Sequence, residues 1–181
     1  MERKAVLRSR HRRLLLALGV AGLAGCTESP AEQSRRAREA ELLANEAAFA
    51  TNLRDWRRAE QTLVRATELD PRRADLWLSL GSIRVRAGRK PEAREAYLKA
   101  LRSFEQAGDA AAAKSDPGPS LDQIRTLVLL GRIPEARSLG AELPRRFPAH
   151  PRVRGFSESG GVDQLVQDPA VREIALAAEP R

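Results

Sequence analysis

Apolar and polar residues are distributed differently in the two parts of this 181-residue chain. Residues 2–13 are strongly basic, and residues 14–23 form an uninterrupted run of apolar and small residues, LLLALGVAGL. Beyond that run, aliphatic residues are interspersed with charged ones as on helical surfaces, and aromatic residues make up only 4% of the chain. Such a composition suits packed helices better than sheets. We therefore predict a single all-α domain, preceded by a segment with a separate role.

The basic head followed by a short apolar run has the layout of a secretory signal. The run is about half the roughly 20 residues that a helix needs to span a bilayer. It ends in Leu23-Ala24-Gly25-Cys26, and Cys26 is the only cysteine of the chain. This motif resembles the lipobox of bacterial lipoproteins, in which the signal is removed before a cysteine that then carries lipid. The resemblance implies a signal peptide at residues 1–25 and attachment to the lipid bilayer through Cys26.

The same resemblance predicts where the exported chain is held. Residue 27 is threonine, not the aspartate that retains enterobacterial lipoproteins at the inner membrane, so we expect the outer membrane, facing the periplasm. Two or more acyl chains give stable anchoring, and the implied modification supplies several. Residues 26–39 are expected to form a short tether and the start of the first helix. The alternative is an ordinary cleaved signal in which Cys26 is incidental.

One sequence unit recurs in the middle of the chain. GRKPEAR at residues 88–94 returns as GRIPEAR at residues 131–137, and a degenerate copy, RDWRRA, lies at residues 54–59. The middle copy also places small and large apolar residues at fixed spacing: Trp77, Leu80, Gly81, Ala93, Tyr97 and Ala100. Ala59 and Ala136 occupy the position of Ala93 in the copies before and after it. This pattern resembles tetratricopeptide repeats.

The resemblance implies a short solenoid of antiparallel helix pairs at residues 40–73, 74–107 and 117–150. Small residues at Gly81 and Ala93 would let the two helices of a pair approach closely, while Trp77, Leu80 and Tyr97 would fill the space between pairs. Gly88 and Gly131 suit the tight turns within pairs, because glycine tolerates a positive φ.

Residues 151–181 are expected to be a loop followed by a capping segment. Residues 155–161 have a loop-like composition, and Asp168-Pro169 is a good helix start. A solenoid needs a cap because its last unit otherwise exposes apolar surface. The alternative is that this segment folds back into the groove of the protein itself. Residues 108–116 lie between the second and third pairs and belong to neither repeat unit. They are expected to extend a helix and then form a loop.

Net charge and candidate chemistry exclude several function classes. The formal net charge of +8 is concentrated in residues 1–25; beyond them, 26 basic and 23 acidic residues leave only +3. We therefore predict no nucleic-acid partner. His150 is the only histidine after the signal, and the chain lacks the sequence motifs of metal, nucleophile and phosphate sites. We predict no catalytic residue, no metal and no cofactor.

In tetratricopeptide domains the concave groove is lined by the first helix of each pair. The resemblance places these residues there: Glu41, Ala44, Asn45, Ala48, Thr51, Asn52, Asp75, Leu78, Ser79, Ser82, Val85, Arg86, Leu121, Asp122, Arg125, Val128 and Leu129. Apolar members could hold a helix or an extended peptide, while Arg86 and Arg125 meet carboxylates. The alternative is that Leu78, Val85 and Leu121 only pack within the array.

These predictions together indicate a membrane-tethered envelope protein that binds a protein or peptide partner as a scaffold. A second hypothesis is a structural subunit that associates with itself. An enzyme with chemistry in the C-terminal segment is the third hypothesis, and the missing histidine, cysteine and metal motifs argue against it.

Overall fold

A computed structural model describes residues 29–113 and 115–176, except for the side chains of residues 109, 110, 112 and 113. Cys26 and the predicted signal lie outside the described residues. Helices account for the regular structure of the described part, which contains no strand. The first six helices form three consecutive pairs: α1 (Pro30–Asn52) with α2 (Trp56–Leu69), α3 (Ala74–Arg86) with α4 (Lys90–Ala113), and α5 (Gly118–Leu129) with α6 (Ile133–Arg146).

Three short helices follow the pairs: α7 (Pro151–Glu158), α8 (Gly161–Gln167) and α9 (Pro169–Ile174). The expected loop at residues 155–161 is therefore wrong, because α7 continues through Glu158. Buried Val153 and partly buried Phe156 hold this helix on the core, and only Ser159 and Gly160 form a turn before α8 begins at Gly161. His150 caps α7, because its Nδ1 accepts the backbone N–H of Arg152 at 3.2 Å.

The turns within the three pairs share one backbone geometry. Gly88 and Gly131 have φ values of 77° and 76°, and the next residue in each turn donates its N–H to a carbonyl five residues back. This is the hydrogen bonding of a helix that ends in a left-handed residue. In the first pair the same position is occupied by Arg54, with φ 59°.

Arg54→Gly is expected to stabilise the protein by about 0.5–1 kcal/mol. A left-handed conformation costs a residue with a Cβ roughly 1–2 kcal/mol, and the extra backbone entropy that glycine loses on folding offsets about 0.5–1 kcal/mol of the gain. Urea denaturation measures the change, with Gly88→Arg as the reverse substitution and an expected loss. A lower denaturation midpoint for Arg54→Gly would contradict the shared turn geometry.

Packing within the middle pair depends on Gly81. A Cβ at residue 81 would lie 2.4 Å from both Cδ1 and Cε1 of Tyr97, which is fully buried on α4. Ala93 is also fully buried on the same helix, and Ala59, Ala100 and Ala136 are buried in the three pairs. The small residues therefore allow the close helix approach that the repeat pattern predicts.

Two large clusters make the core continuous between pairs. Leu80 packs with residues of α1 and α2, whereas Tyr97 packs with residues of α5 and α6, so both connect neighbouring pairs. Trp77 is only partly buried; its Nε1 donates to the carbonyl of Pro71 at 2.9 Å, and Lys99 lies over its ring. None of the described helices is both long and apolar enough to cross a membrane.

The C-terminal helices contact the array at two places. Helix α8 packs on α5 and α6 of the last pair, where Val162 fills the space beside Gly140. Helix α9 instead packs on α3 and α5, the first helices of the second and third pairs. The segment thus covers the end of the array and also folds back along the face that the first helices form.

Candidate functional site

A cleft of about 350 Å³ lies between the first helices of the three pairs. Three alanines of α1, Ala44, Ala47 and Ala48, form one side and leave space because their side chains are short. The opposite side is formed by α3, and α5 and α9 contribute Arg125 and Ile174 at the edge. The cleft is therefore a surface of the whole array, to which no single pair contributes all the walls.

The α3 side of the cleft is polar along its length. Asp75, Ser79, Ser82 and Arg86 follow one another at intervals of three or four residues, which places them on one face of the helix. Leu76 and Ile83 border the same space from the buried side of α3, and Leu63 reaches it from α2. The cleft consequently combines an apolar floor with hydroxyl and charged groups at its rim.

The charged groups of the cleft differ in how they are already paired. Asp75 accepts hydrogen bonds from Arg73, which also pairs with Glu41, and these bonds raise the pKa of Arg73. Arg86 donates from Nε to Glu173 of α9 at 3.0 Å and lies over the ring of Trp56. Within the described residues, exposed Arg125 forms no salt bridge. Arg125 is therefore the cationic group of the cleft that can most readily meet a carboxylate of a partner.

Asp122, beside this cleft on α5, is partly buried and has a pKa above its ordinary value. Burial is the main cause, and the negative charges of Asp75 and Asp116 add to it, while Arg152 and Arg125 act in the opposite direction. The folded protein therefore binds a proton at Asp122 more readily than the unfolded chain does. Ionised Asp122 consequently lowers the stability of the fold at neutral pH.

Asp122→Asn is expected to raise the melting temperature at pH 7. The gain should shrink as the pH falls through the folded-state pKa and vanish below the unfolded-state pKa, where Asp122 is protonated in both states. Thermal denaturation from pH 7 down to pH 3 measures this dependence, with the exposed Glu158→Gln as a control. A gain that is the same at every pH would contradict the proposed cause.

Among the predicted groove residues, the structure brings Asn52, Asp75, Ser82, Arg86 and Arg125 to the cleft. Of the further positions implied by the repeat resemblance, Ala44, Ala48, Thr51 and Ser79 also line it. Asn45 is exposed but lies outside the cleft. Ile174, which sequence reasoning did not select, joins the cleft through α9, and only the alternative of a returning C-terminal segment pointed towards it.

The apolar groove residues need a correction. Leu78, Val85 and Leu121 do not line the cleft but pack against the core, and Val128 is only 4% exposed within that core. Leu78 and Val85 lie seven residues apart on α3, on a helical face next to the polar one, which turns them towards the neighbouring pair. The packing alternative for these side chains is therefore the one that the structure supports.

Two further features limit the chemistry of this surface. Among the described residues there is no group of three histidine, cysteine or acidic side chains that could hold a metal ion. The described buried side-chain nitrogen and oxygen atoms all have hydrogen-bond partners, so none is left over to mark a missing ligand. Shape, apolar contact and a few charges are what the cleft offers.

A family profile described as a tetratricopeptide repeat matches residues 50–112. The fold is an all-α tetratricopeptide solenoid. The matched residues include α2, α3 and nearly all of α4, and so contain the middle pair with Gly81 and Tyr97. No curated protein matches the chain. Tetratricopeptide repeats suggest protein partners, which agrees with a cleft that offers contact surface.

Proposed function

We propose that this chain is a lipid-tethered lipoprotein of the bacterial cell envelope whose tetratricopeptide array holds a partner protein in the cleft. The observation that supports a binding role best is the cleft itself, an open space built by three first helices around an apolar floor. Peptide grooves typically combine apolar contact with a few polar groups that fix orientation and register. A segment of the partner with a small apolar side chain and a nearby carboxylate fits this lining.

The charge of the cleft favours a carboxylate at the end where the C-terminal turn of α3 lies. Arg86 of α3 and Arg125 of α5 border this end of the cleft. Asp75, at the start of α3, is already paired with Arg73. Arginine binds a carboxylate with two parallel hydrogen bonds, which gives orientation as well as affinity. We therefore expect the bound segment to lie with its acidic residue towards α5.

The tether of the proposal rests on Cys26 and the lipobox-like residues before it. Helix α1 begins at Pro30, four residues after Cys26, and four residues reach at most about 14 Å. A lipid on Cys26 would therefore keep the start of α1 close to the bilayer. We propose the outer membrane as that bilayer, with the array in the periplasm.

Photo-crosslinking tests the binding role. A photoreactive residue at position 79, in the cleft, should crosslink to a partner in cells, whereas the same residue at the exposed position 102 of α4, outside the cleft, should not. Arg125→Glu should lower the crosslink yield about tenfold, since reversing a charge at a binding surface replaces attraction by repulsion. Arg102→Glu, which changes an exposed arginine outside the cleft, is the matched control. Equal yields from the two positions would reject the cleft as the binding site.

Self-association is the second candidate function, and the outer face of α1 favours it. Leu42, Phe49 and Leu53 are 70%, 57% and 63% exposed, and their spacing of seven and four residues places them on one face of the helix and its C-cap. Exposed apolar patches of this kind often mark contact surfaces. Sedimentation of the unlipidated chain should then show a dimer that Phe49→Glu converts to a monomer. A monomeric parent chain would exclude this candidate.

A further inference from the structure

The C-terminal segment lies beside the cleft on the same face of the array. Helix α9 contacts α3 and α5, and Ile174 at its end borders the cleft itself. The cleft and the surface under α9 are therefore neighbouring parts of one groove. The first part is open, and the second is occupied by the chain's own residues.

The array holds this segment partly through its backbone. The hydroxyl of Tyr97 donates to the carbonyl oxygen of Ile174 at 2.8 Å, and the N–H of Leu176 donates to the carbonyl oxygen of Leu129 at 2.7 Å. Ala175, between them, is extended with ψ 146°. Such main-chain hydrogen bonds are available to any peptide of suitable conformation, so the groove can hold another chain in the same way.

Side chains add a specific pattern to these backbone contacts. Val171, Ile174 and Leu176 are buried against the array. Glu173 remains 60% exposed while it accepts a hydrogen bond from Arg86 at 3.0 Å. The groove thus recognises an acidic residue followed directly by a branched apolar residue, with a second apolar residue two positions later.

Helix α9 can separate from the array while the helix pairs stay folded. Helix α9 is only six residues long and packs on α3, α5 and α8, and the core cluster that joins the first pair to α3 does not contain it. Its buried apolar residues belong to the cluster of Tyr97 and the third pair. Short segments with few buried side chains open locally at much lower cost than core helices. Opening would uncover Tyr97 and the carbonyl of Leu129 and would leave Arg86 without Glu173.

We propose that residues 169–176 are a built-in occupant of the groove, and that the partner carries a segment of the same pattern that displaces them. The displacing segment would extend from the open cleft into the surface under α9, with its acidic residue on Arg86 and Arg125. This inference deepens the proposed binding function and rests on it, but it does not depend on the lipid at Cys26.

A labelled peptide of residues 168–176, DPAVREIAL, tests the proposal by fluorescence anisotropy. The protein is the unlipidated chain from residue 27, which contains every described helix. Its own segment is released by Ile174→Asp with Leu176→Asp. This released variant should bind the peptide at least about tenfold more tightly than the parent, in which the occupied groove lowers the apparent affinity.

Charge exchange identifies the site of peptide binding. A peptide with lysine in place of Glu173 should bind the released variant more weakly, and adding Arg86→Glu to that variant should reverse the preference between the two peptides. Arg102→Glu, on α4, is the control and should leave the preference unchanged. Absence of peptide binding to the released variant, or equal binding to the released and parent chains, would overturn the proposal.

Hydrogen exchange on the unaltered chain provides a second measurement, in case the double substitution disturbs folding. The amide of Leu176 should exchange much faster than the core amides of α5, because residues 169–176 separate from the array by local opening. Equal protection of the two would show that the segment is a fixed part of the array and would overturn the proposal. The two proposals can fail separately. If the released variant binds the peptide but no crosslink forms at residue 79 in cells, the proposed function is rejected, while residues 169–176 are still supported as an occupant of the groove.

Discussion

Gly81→Leu is expected to destabilise the array by at least about 1–3 kcal/mol, the usual cost of overpacking a core. Even the first added carbon would lie 2.4 Å from two ring atoms of Tyr97. The ring is fully buried between the second and third pairs and cannot turn away without moving them. Such a loss is a large fraction of the roughly 5–15 kcal/mol by which ordinary domains are stable.

Gly155→Leu is the matched control for this substitution. Gly155 lies in α7, is exposed, and would have no atom within 4 Å of an added Cβ. The control should therefore leave the denaturation midpoint in urea at or slightly above that of the parent, because leucine favours a helix more than glycine does, while Gly81→Leu lowers the midpoint. Ala93→Leu, at another fully buried position of the same pair, should behave like Gly81→Leu. If all three variants unfolded with the parent, the packing described for the middle pair would be wrong.

Overpacking at residue 81 should also affect the C-terminal segment. The hydroxyl of Tyr97 donates to the carbonyl of Ile174, so a displaced ring would remove one of the backbone contacts that hold α9. Burial raises the pKa of Tyr97 to about 12, which keeps this hydroxyl protonated as a donor throughout the neutral range. The middle pair and the groove occupant are thus connected through one side chain.

The repeat anchors could be predicted from sequence because each has a local physical requirement. Gly88 and Gly131 end their helices with positive φ, and Gly81 leaves the space that Tyr97 fills. These requirements recur at a fixed spacing, and a single sequence is enough to show them. The all-α solenoid that they predict is confirmed.

The polar groove positions could also be predicted, because the α3 residues at 75, 79, 82 and 86 follow helical spacing. The apolar ones could not be assigned in the same way. Leu78 and Val85 lie close to that face, and only the position of the next helix pair decides whether an apolar side chain faces the groove or the core. That position is a property of tertiary packing and is not contained in the spacing.

For the C-terminal segment, sequence reasoning left two courses open, a cap on the array and a return into its groove, and could not choose between them. Two of the hydrogen bonds that hold it, from Leu176 N–H to the Leu129 carbonyl and from the Tyr97 hydroxyl to the Ile174 carbonyl, use backbone atoms of the segment, and backbone atoms carry no sequence signal. The glycines at 155, 160 and 161 gave the misleading impression of a loop, although Gly155 is accommodated inside α7. Nothing in the sequence around Glu173 distinguishes it from other surface charges, although it pairs with Arg86 in the structure.

Cys26→Ala is expected to abolish lipid attachment and the cleavage before residue 26 that the lipobox-like motif predicts. The uncleaved chain would keep only its ten-residue apolar run, about half of what a membrane-spanning helix needs, so membrane retention should fall. Cells labelled with a clickable fatty acid and then fractionated provide the measurement, and the parent should carry label in the membrane fraction.

Moving the cysteine provides the control for this experiment. In the Cys26→Ala chain, Thr27→Cys restores a cysteine one residue later and should not restore the label, because the motif fixes the position as well as the residue. The array starts at Pro30, so the same substitutions in the chain without its first 25 residues should leave helicity and melting unchanged. A parent chain without label, or equal label on Cys26→Ala, would reject the lipid tether and with it the proposed location. The cleft, whose lining among the described residues begins at Ala44, would keep its own test.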